Sequence, residues 1–463
     1  MAPHAAIFSM DGPGHLNPML ELAERLQQQH GFAITVLASP LTDATPLARK
    51  HPSVKFVTVP VPDDLLRLAC MGDLFRMVDS MPGAVEEAVR ELDPPATMVI
   101  ADGFVGWTQD VADKLGIARV FFWTASAACE IVCSNILELK SRGYLPVKRN
   151  LEDESVIDFL PGLTGMTRKD LPLAFYDDDV CLDFIGKACA RRPEAFCVLA
   201  NTFQELEPVA IAAMRERMRY FAIGPLIPRA LLREAQLPRE DLRDHDEHLG
   251  CMEWLDRQLP ASILYIAFGS VAVLSFRQVK EILDALQASN QAFLWSFRKN
   301  FVVDVPDNDH KALDELLDRA KPMESRLVSW APQLHVLRHP AVVGFVTHCG
   351  WNSTMEAISS GVPMLAWPRT SEQNMNSKRM VEEWKIALGV NNHGQDTDDP
   401  PRVIQSREIA RLIEELNGEE GKSMKENVLR LRDALRAAHG PGGSACESLR
   451  EFAECFAKSP SLR

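Results

Sequence analysis

The sequence predicts an α/β protein made of two doubly wound, parallel-sheet domains in tandem. Short runs rich in Val, Ile and Phe alternate with amphipathic helical segments, and this alternation occurs twice along the chain. A charged, proline-bearing stretch separates the two series. The length of 463 residues and the 46% hydrophobic content suit two or three domains with sizeable cores.

The first series opens with the strand-like "HAAIFSM" at His4. "NPMLELAERLQQQHG" then repeats apolar residues at helical spacing and stops at Gly31, with Asn17 the expected N-cap and Pro18 the first helical residue. "FAITVLAS", "VKFVTVP", "TMVIADGF" and "RVFFWTAS" follow as strands. Strands joined through helices pair in parallel, because the crossover brings the chain back to the same end of the sheet. Residues 224–250, "GPLIPRALLREAQLPREDLRDHDEHLG", read as linker plus surface loop and place a boundary near Asp244. The expected domains are therefore 1–244, with linker from about 225, and 245–440. In the second series "SILYIAFGS", "FLWSFR", "SRLVSW", "VGFVTHCG" and "PMLAWP" are strands, and "FRQVKEILDAL" sets Val279, Ile282, Leu283 and Leu286 on one helical face. "GPGGSACESLREFAECF" breaks at glycine before a last amphipathic helix within 441–463.

Charge and cysteine usage narrow the function. Fifty Lys and Arg against 64 Asp and Glu give a formal charge of −14 without a basic cluster, which argues against nucleic acid or an anionic membrane as partner. The N-terminus carries no basic region followed by a long apolar run, so the expected compartment is the cytosol. Ten cysteines lie scattered in apolar segments without a CxxC pair and read as reduced core thiols; neither a zinc site nor any other metal site is expected.

The stretch "GFVTHCGWNSTMEAISSG", Gly344 to Gly361, has the order of groups a nucleotide needs. Ligands of open α/β sheets bind beyond the carboxyl ends of strands, and His348 stands at such an end. With a helix starting near Asn352, the N–H groups of Asn352, Ser353 and Thr354 face outward at its positive end and suit a phosphate. Gly350 lets the backbone approach closely, His348 adds a donor, and Glu356 can accept two ribose hydroxyls. Upstream, Trp330 offers a face to a base and Gln333 an amide; downstream, Glu372 and Gln373 suit sugar hydroxyls. Cys349 reads as a small buried residue in preference to a nucleophile. Trp330 and Trp351 also admit a plain core role.

From Trp330 to Gln373 the sequence resembles the signature box of the plant-type family 1 UDP-dependent glycosyltransferases. "WAPQ", "HPAV", "FVTHCGWNS", "EAISSGVPML" and "EQ" fall in register, and "GHLNPML", "VLANTFQELE", "YIAFGS" and the terminal "GGS" extend the likeness over nearly the whole chain. The resemblance implies a GT-B fold, two Rossmann-like domains facing across a cleft, with the last helix crossing back to the first. It implies that Trp330 stacks on uracil with Ala331 and Gln333 beside it. It assigns the diphosphate to His348, Gly350, Asn352 and Ser353, the ribose to Glu356, and the sugar to Thr124, Trp351, Glu372 and Gln373. Ser270 and Ser296 would complete the UDP pocket. A monomer is the family default.

The chemistry that remains is activation of a weak nucleophile, since UDP is already a good leaving group. A histidine suits that task, and the resemblance makes His15 the general base and Asp102 the carboxylate that orients it. Asp102 also admits a strand-end or capping role. Displacement from one face gives a β-glycoside from an α-linked donor. UDP-glucose is the expected co-substrate, since Gln373 ends the box. Arg369, where the family commonly has an uncharged residue, reads as a solvated side chain or as a partner for the carboxylate of UDP-glucuronic acid. Leu388, where glycine is frequent, is expected to affect packing only. The acceptor pocket is expected from loops within 61–82 and 126–179, rich in Leu, Met, Phe and Ala; a small apolar flavonoid, phenolic, terpenoid or hormone acid fits. Rival readings are a UDP-sugar epimerase, a non-catalytic sugar-nucleotide binder and a nicotinamide oxidoreductase. "GPGHLN" lacks the third glycine of the dinucleotide fingerprint, and "GxSxG", which a serine hydrolase requires, is missing.

Overall fold

The computed structural model describes residues 2–68, 70–147, 155–176, 179–232, 237, 239, 242, 246–269, 272–306, 310–390 and 402–458. The expected boundary at Asp244 lies outside them.

Fifteen strands form among the described residues. In the first half they are β1 (His4–Phe8), β2 (Ala33–Ala38), β3 (Lys55–Thr58), β4 (Met98–Asp102), β5 (Ala118–Trp123), β6 (Cys197–Ala200) and β7 (Tyr220–Ala222). The second half has β8 (Ile263–Ala267), β9 (Leu274–Ser275), β10 (Phe293–Ser296), β11 (Val302–Val303), β12 (Ser325–Val328), β13 (Val342–Thr347), β14 (Met364–Ala366) and β15 (Ala387–Gly389). Two large sheets result, in the orders β3-β2-β1-β4-β5-β6-β7 and β12-β10-β8-β13-β14-β15, and every pairing within them is parallel.

Both faces of each sheet are buried, which is why its strands read as unbroken apolar runs. Ala5 and Ile7 of β1 enter one core while Ala6 and Phe8 enter the core on the opposite face. Likewise Ile263, Tyr265 and Ala267 of β8 face away from Leu264 and Ile266. The Phe276–Ala288 helix buries Val279, Ile282, Leu283 and Leu286, as its periodicity requires. The Ser444–Ala457 helix lies against β7 and sets Phe452 between Phe32 and Phe221 of the first half.

The order of strands places the functional surface. The chain leaves β1 toward β2 and β3, then returns to the other side of β1 at β4; the second sheet reverses in the same way between β8 and β13. At such reversals the following loops diverge and open a crevice.

One expectation is corrected. The first helix runs Pro13–His30, so neither Asn17 nor Pro18 starts it. Gly12 serves as N-cap at φ 117°, a region a side chain resists, and Pro13 takes the first helical position. The Gly12 carbonyl accepts from His15 and Leu16 at 3.1 and 3.0 Å. Pro18 stays inside the helix and has no N–H for the carbonyl four residues back. That carbonyl, Gly14 O, accepts from Asn352 Nδ2 of the other half at 3.3 Å.

A buried polar junction joins the halves. Glu207 accepts from the backbone N–H groups of Ala127 and Ala128 at 2.8 and 3.1 Å, from Thr202 Oγ1 at 2.5 Å, and from Arg379 of the second half. Beside it, the Trp351 indole Nε1 donates to Asn201 O at 2.7 Å. Replacing Arg379 with methionine leaves the buried Glu207 carboxylate without its cation. The expected loss of stability is about 3 kcal/mol, read as a lower denaturant midpoint for Arg379→Met than for the parent; an unchanged midpoint would show that the backbone donors alone satisfy Glu207.

Candidate active site

Both sheet reversals carry sequence-predicted site residues. Asp102 ends β4 and is buried, and His15 stands in the first turn of the helix after β1. The His15 Nδ1–H donates to Asp102 Oδ2 at 2.7 Å, while the Phe104 N–H donates to Asp102 Oδ1 at 3.0 Å. The imidazole is 26% exposed against 2% for the Asp102 side chain, so the ring spans from the sheet to the crevice. Its Nδ1 is committed to the carboxylate, which leaves Nε2 as the basic atom. Burial pulls the imidazole pKa down, but the Asp102 charge and hydrogen bond, aided by Glu372, outweigh it and raise it above the usual value.

At the second reversal, His348 follows β13 and sits against Gly269, which follows β8. A Cβ on Gly269 or on Gly350 would come within 2.7 or 2.5 Å of His348 Nε2, so both positions demand glycine. Burial pushes the His348 pKa down to about 4, giving a neutral ring; its Nδ1 has no partner among the described residues. Cys349 turns the chain at φ 66°. It is fully buried, with its N–H on Thr347 Oγ1 at 3.2 Å and its carbonyl held by Asn376 Nδ2 at 2.9 Å, which makes it a packed turn residue.

The Trp351–Ser360 helix starts at once, with Gly350 as N-cap. Trp351, Asn352 and Ser353 are its first three residues, whose N–H groups have no helical acceptor. Thr354 is different: its N–H already bonds Gly350 O at 3.0 Å, so it drops out of the expected anion cradle. One turn on, Gln333 Nε2 donates to Glu356 Oε2 at 2.6 Å and Ser353 Oγ at 2.9 Å, while its Oε1 accepts from Tyr265 OH at 3.2 Å. Burial pushes the Glu356 carboxyl up to about 7 against the pull of the Gln333 bond. Trp330 is 48% exposed beside the Arg298 guanidinium, with its ring open to a planar ligand. Ser296 ends β10 half-buried, and Ala331 packs into the core. Ser270 lies outside the described residues.

Three sugar-side expectations change. The Trp351 indole points into the core and onto Asn201, so only its backbone N–H, which faces the Glu372 carboxylate, belongs to the crevice. Gln373 Oε1 accepts from the N–H groups of Arg369 and Thr370, both at 2.9 Å, leaving its Nε2 to meet a ligand. Arg369 is buried and donates through Nη2 to Val273 O at 2.8 Å, so it is not a solvated side chain. Glu372 accepts from Asn376 Nδ2 at 3.2 Å, and burial raises its carboxyl pKa against these donors. Thr124 lies half-buried after β5, its carbonyl bonded by Asn201 Nδ2 at 3.1 Å. Asn376, which ties Cys349 to Glu372, escaped the sequence reading; its spacing of four from Glu372 was the signal.

A family model described as UDP-glucoronosyl and UDP-glucosyl transferase matches residues 240–433. UDP-glycosyltransferase 85A7 of Arabidopsis thaliana is 31% identical over 96% of this chain and 96% of its own length. The 7-deoxyloganetin glucosyltransferase of Gardenia jasminoides is also 31% identical, over 97% of each chain. Phytolacca americana UGT2, solved with UDP-2fluoro-glucose and pterostilbene, superposes with a TM-score of 0.82 at 29% identity, over 98% of this chain and 99% of that one.

The chain belongs to the plant family 1 UDP-glycosyltransferases. It has their GT-B fold and their activity, transfer from a UDP-sugar to an acceptor. A carboxylate accepts ribose hydroxyls best when ionised, the role expected of Glu356, whose carboxyl burial pushes up to about 7. UDP-glucose, whose diphosphate does not titrate there, is expected to bind about tenfold more weakly at pH 6 than at pH 8. Calorimetry without acceptor measures this, and Glu356→Gln should flatten the profile; a steep profile in that variant would move the titration elsewhere.

Proposed function

We propose that this glycosyltransferase moves glucose from UDP-glucose to a hydroxyl or carboxyl of a small apolar acceptor with inversion, His15 acting as general base and Asp102 orienting it. The observation that carries this reading is the 2.7 Å His15–Asp102 bond at the first sheet's reversal, one residue from Gly14, whose carbonyl Asn352 grips from the nucleotide side. His15 Nε2 takes the acceptor proton as the acceptor oxygen attacks the anomeric carbon, and the bond to UDP breaks on the opposite face. Asp102 stays ionised and stabilises the imidazolium that forms.

In the second half Trp330 serves the base, Gln333, Ser353 and Glu356 the ribose side, and His348 with the Asn352 N–H the diphosphate. Glu372 and the Gln373 amide read the sugar. On this reading residues 1–244 bind acceptor, 245–440 bind donor, and 441–463 return to the first half. Glucose as donor is supported by the UDP-2fluoro-glucose bound to the Phytolacca protein and by the name of the Gardenia relative. Arg369, turned toward Val273 O, gives UDP-glucuronic acid no support. The acceptor side is apolar: Phe104 lies beside His15, and Phe75 stacks on Phe184 at 4.0 Å. A terpenoid or phenolic alcohol suits that surface. The cytosol is the compartment of this reading, since ten cysteines scattered without a CxxC pair suit a reducing milieu.

Acceptor-dependent UDP release from UDP-glucose, measured over a panel of phenols, flavonoids and terpenoid alcohols, tests the reading. His15→Ala is expected to lower kcat by about 10²- to 10⁴-fold; unaltered turnover would remove His15 from the chemistry. Because the base must be neutral and its pKa is raised in the free enzyme, the acid limb of the parent kcat/KM profile is expected above pH 6.5, the ordinary value. Asp102→Asn removes the carboxylate that raises it, so the limb should move to lower pH as kcat falls.

A further inference from the structure

The turn that presents Glu372 and Gln373 is held from behind by the other half of the molecule. Ser371 stands at φ 54°, a left-handed conformation that a side-chain-bearing residue keeps only where its surroundings fix it. From inside, Gln373 Oε1 binds the N–H groups of Arg369 and Thr370. From outside, residues 169–173 of the first half close on it. The Leu173 N–H donates to Ser371 O at 2.6 Å. Asn374 Nδ2 donates to the carbonyls of Lys169 and Leu171 at 3.1 and 2.6 Å, and Lys378 Nζ lies 3.2 Å from Asp170 Oδ2. That same Asp170 oxygen accepts from Thr167 N and Oγ1 at 2.8 and 2.7 Å, so the gripping stretch is anchored in its own turn.

We propose that Asn374 is a positioning residue for donor-sugar selectivity, coupling the acceptor half to the turn that carries Glu372 and Gln373. The inference rests on the reading that this pair faces the sugar. A planar amide supplies two N–H bonds in fixed directions, and here both go to carbonyls of the opposite half. Sugars that differ in the direction of one hydroxyl are told apart by donor and acceptor direction, so a turn loosened by a fraction of an ångström discriminates less. The grip on the nucleotide is made elsewhere, at Trp330, Gln333, His348 and Glu356, and does not pass through Asn374.

Asn374→Asp keeps the shape and turns the donor into an acceptor facing two carbonyl oxygens. The ratio of kcat/KM for UDP-glucose to that for UDP-galactose, its C4 epimer, is expected to fall about tenfold, while the UDP inhibition constant stays within about twofold of the parent. Asp170→Asn removes the cross-half partner of Lys378, which keeps Glu382 four residues on, yet can still accept from the Thr167 N–H; it should shift the ratio the same way, less far. An unchanged ratio overturns the proposal, in Asn374→Asp or, where that variant does not fold, in Asp170→Asn. A parallel loss of UDP binding overturns it too. Gln373→Ala in the same assay separates the two readings: if it keeps the parental ratio, the sugar-facing assignment fails, whereas loss there with retention in Asn374→Asp defeats the coupling alone.

Discussion

A carboxylate sealed from water sets the relation between the two halves. The Glu207 side chain has no exposure, so its charge must be met by the protein itself. Two N–H groups at the start of the Ala127–Ser134 helix, one hydroxyl and the Arg379 guanidinium meet it, and only the last comes from the second half. Moving Arg379 away would strand a buried charge, which is a steep penalty for any opening at that edge. Six residues earlier, Asn201 binds three elements at once, receiving the Trp351 indole and the Leu226 N–H and donating to Thr124 O. One short loop after β6 therefore fixes the acceptor-side helix, the start of the nucleotide-side helix and the connection out of β7.

With the halves held this way, function follows from where parallel sheets reverse. Each reversal frees two loops, and each pair of loops brings together residues far apart in sequence: His15 with Asp102, Gly269 with His348. Helix starts supply much of the polarity. The first turns of the Pro13–His30 and Trp351–Ser360 helices meet through the Asn352–Gly14 bond, so His15 stands close to the N–H groups suited to a diphosphate. Local dipoles of this kind explain how a chain of formal charge −14 can hold an anionic donor.

Much of this was legible in the sequence because it is local. Strand runs and helical periodicity depend on neighbours within a few residues, and those segments form as expected. What escaped was settled at long range. Trp351 reads equally as a core or a crevice residue until Asn201, 150 positions away, takes its N–H. Arg369 reads as solvated because arginine usually is; the carbonyl of Val273 buries it. Pro18 beside Asn17 mimics a helix start, and only the cross-cleft acceptor at Gly14 explains a proline inside the helix. Asn374 carries no local signal at all, since its partners Lys169 and Leu171 lie in the other half.

The electrostatics of the nucleotide side argue for a site shaped by its ligand. His348 is pushed down to about 4 and Glu356 up to about 7, both by burial, so near pH 7 the ring is neutral and the carboxyl is poised between its two forms. A permanently buried charge would need a permanent partner, and the two groups avoid that cost. On the proposed reading, a diphosphate brings two negative charges next to the His348 ring, which favours the protonated or donating form there. On the same reading, ribose hydroxyls beside Glu356 are donors and favour its carboxylate. Binding thus draws each group toward the state that holds the ligand best, while the Gln333 amide, fixed by Tyr265 and Ser353, keeps the carboxylate in place as its charge changes.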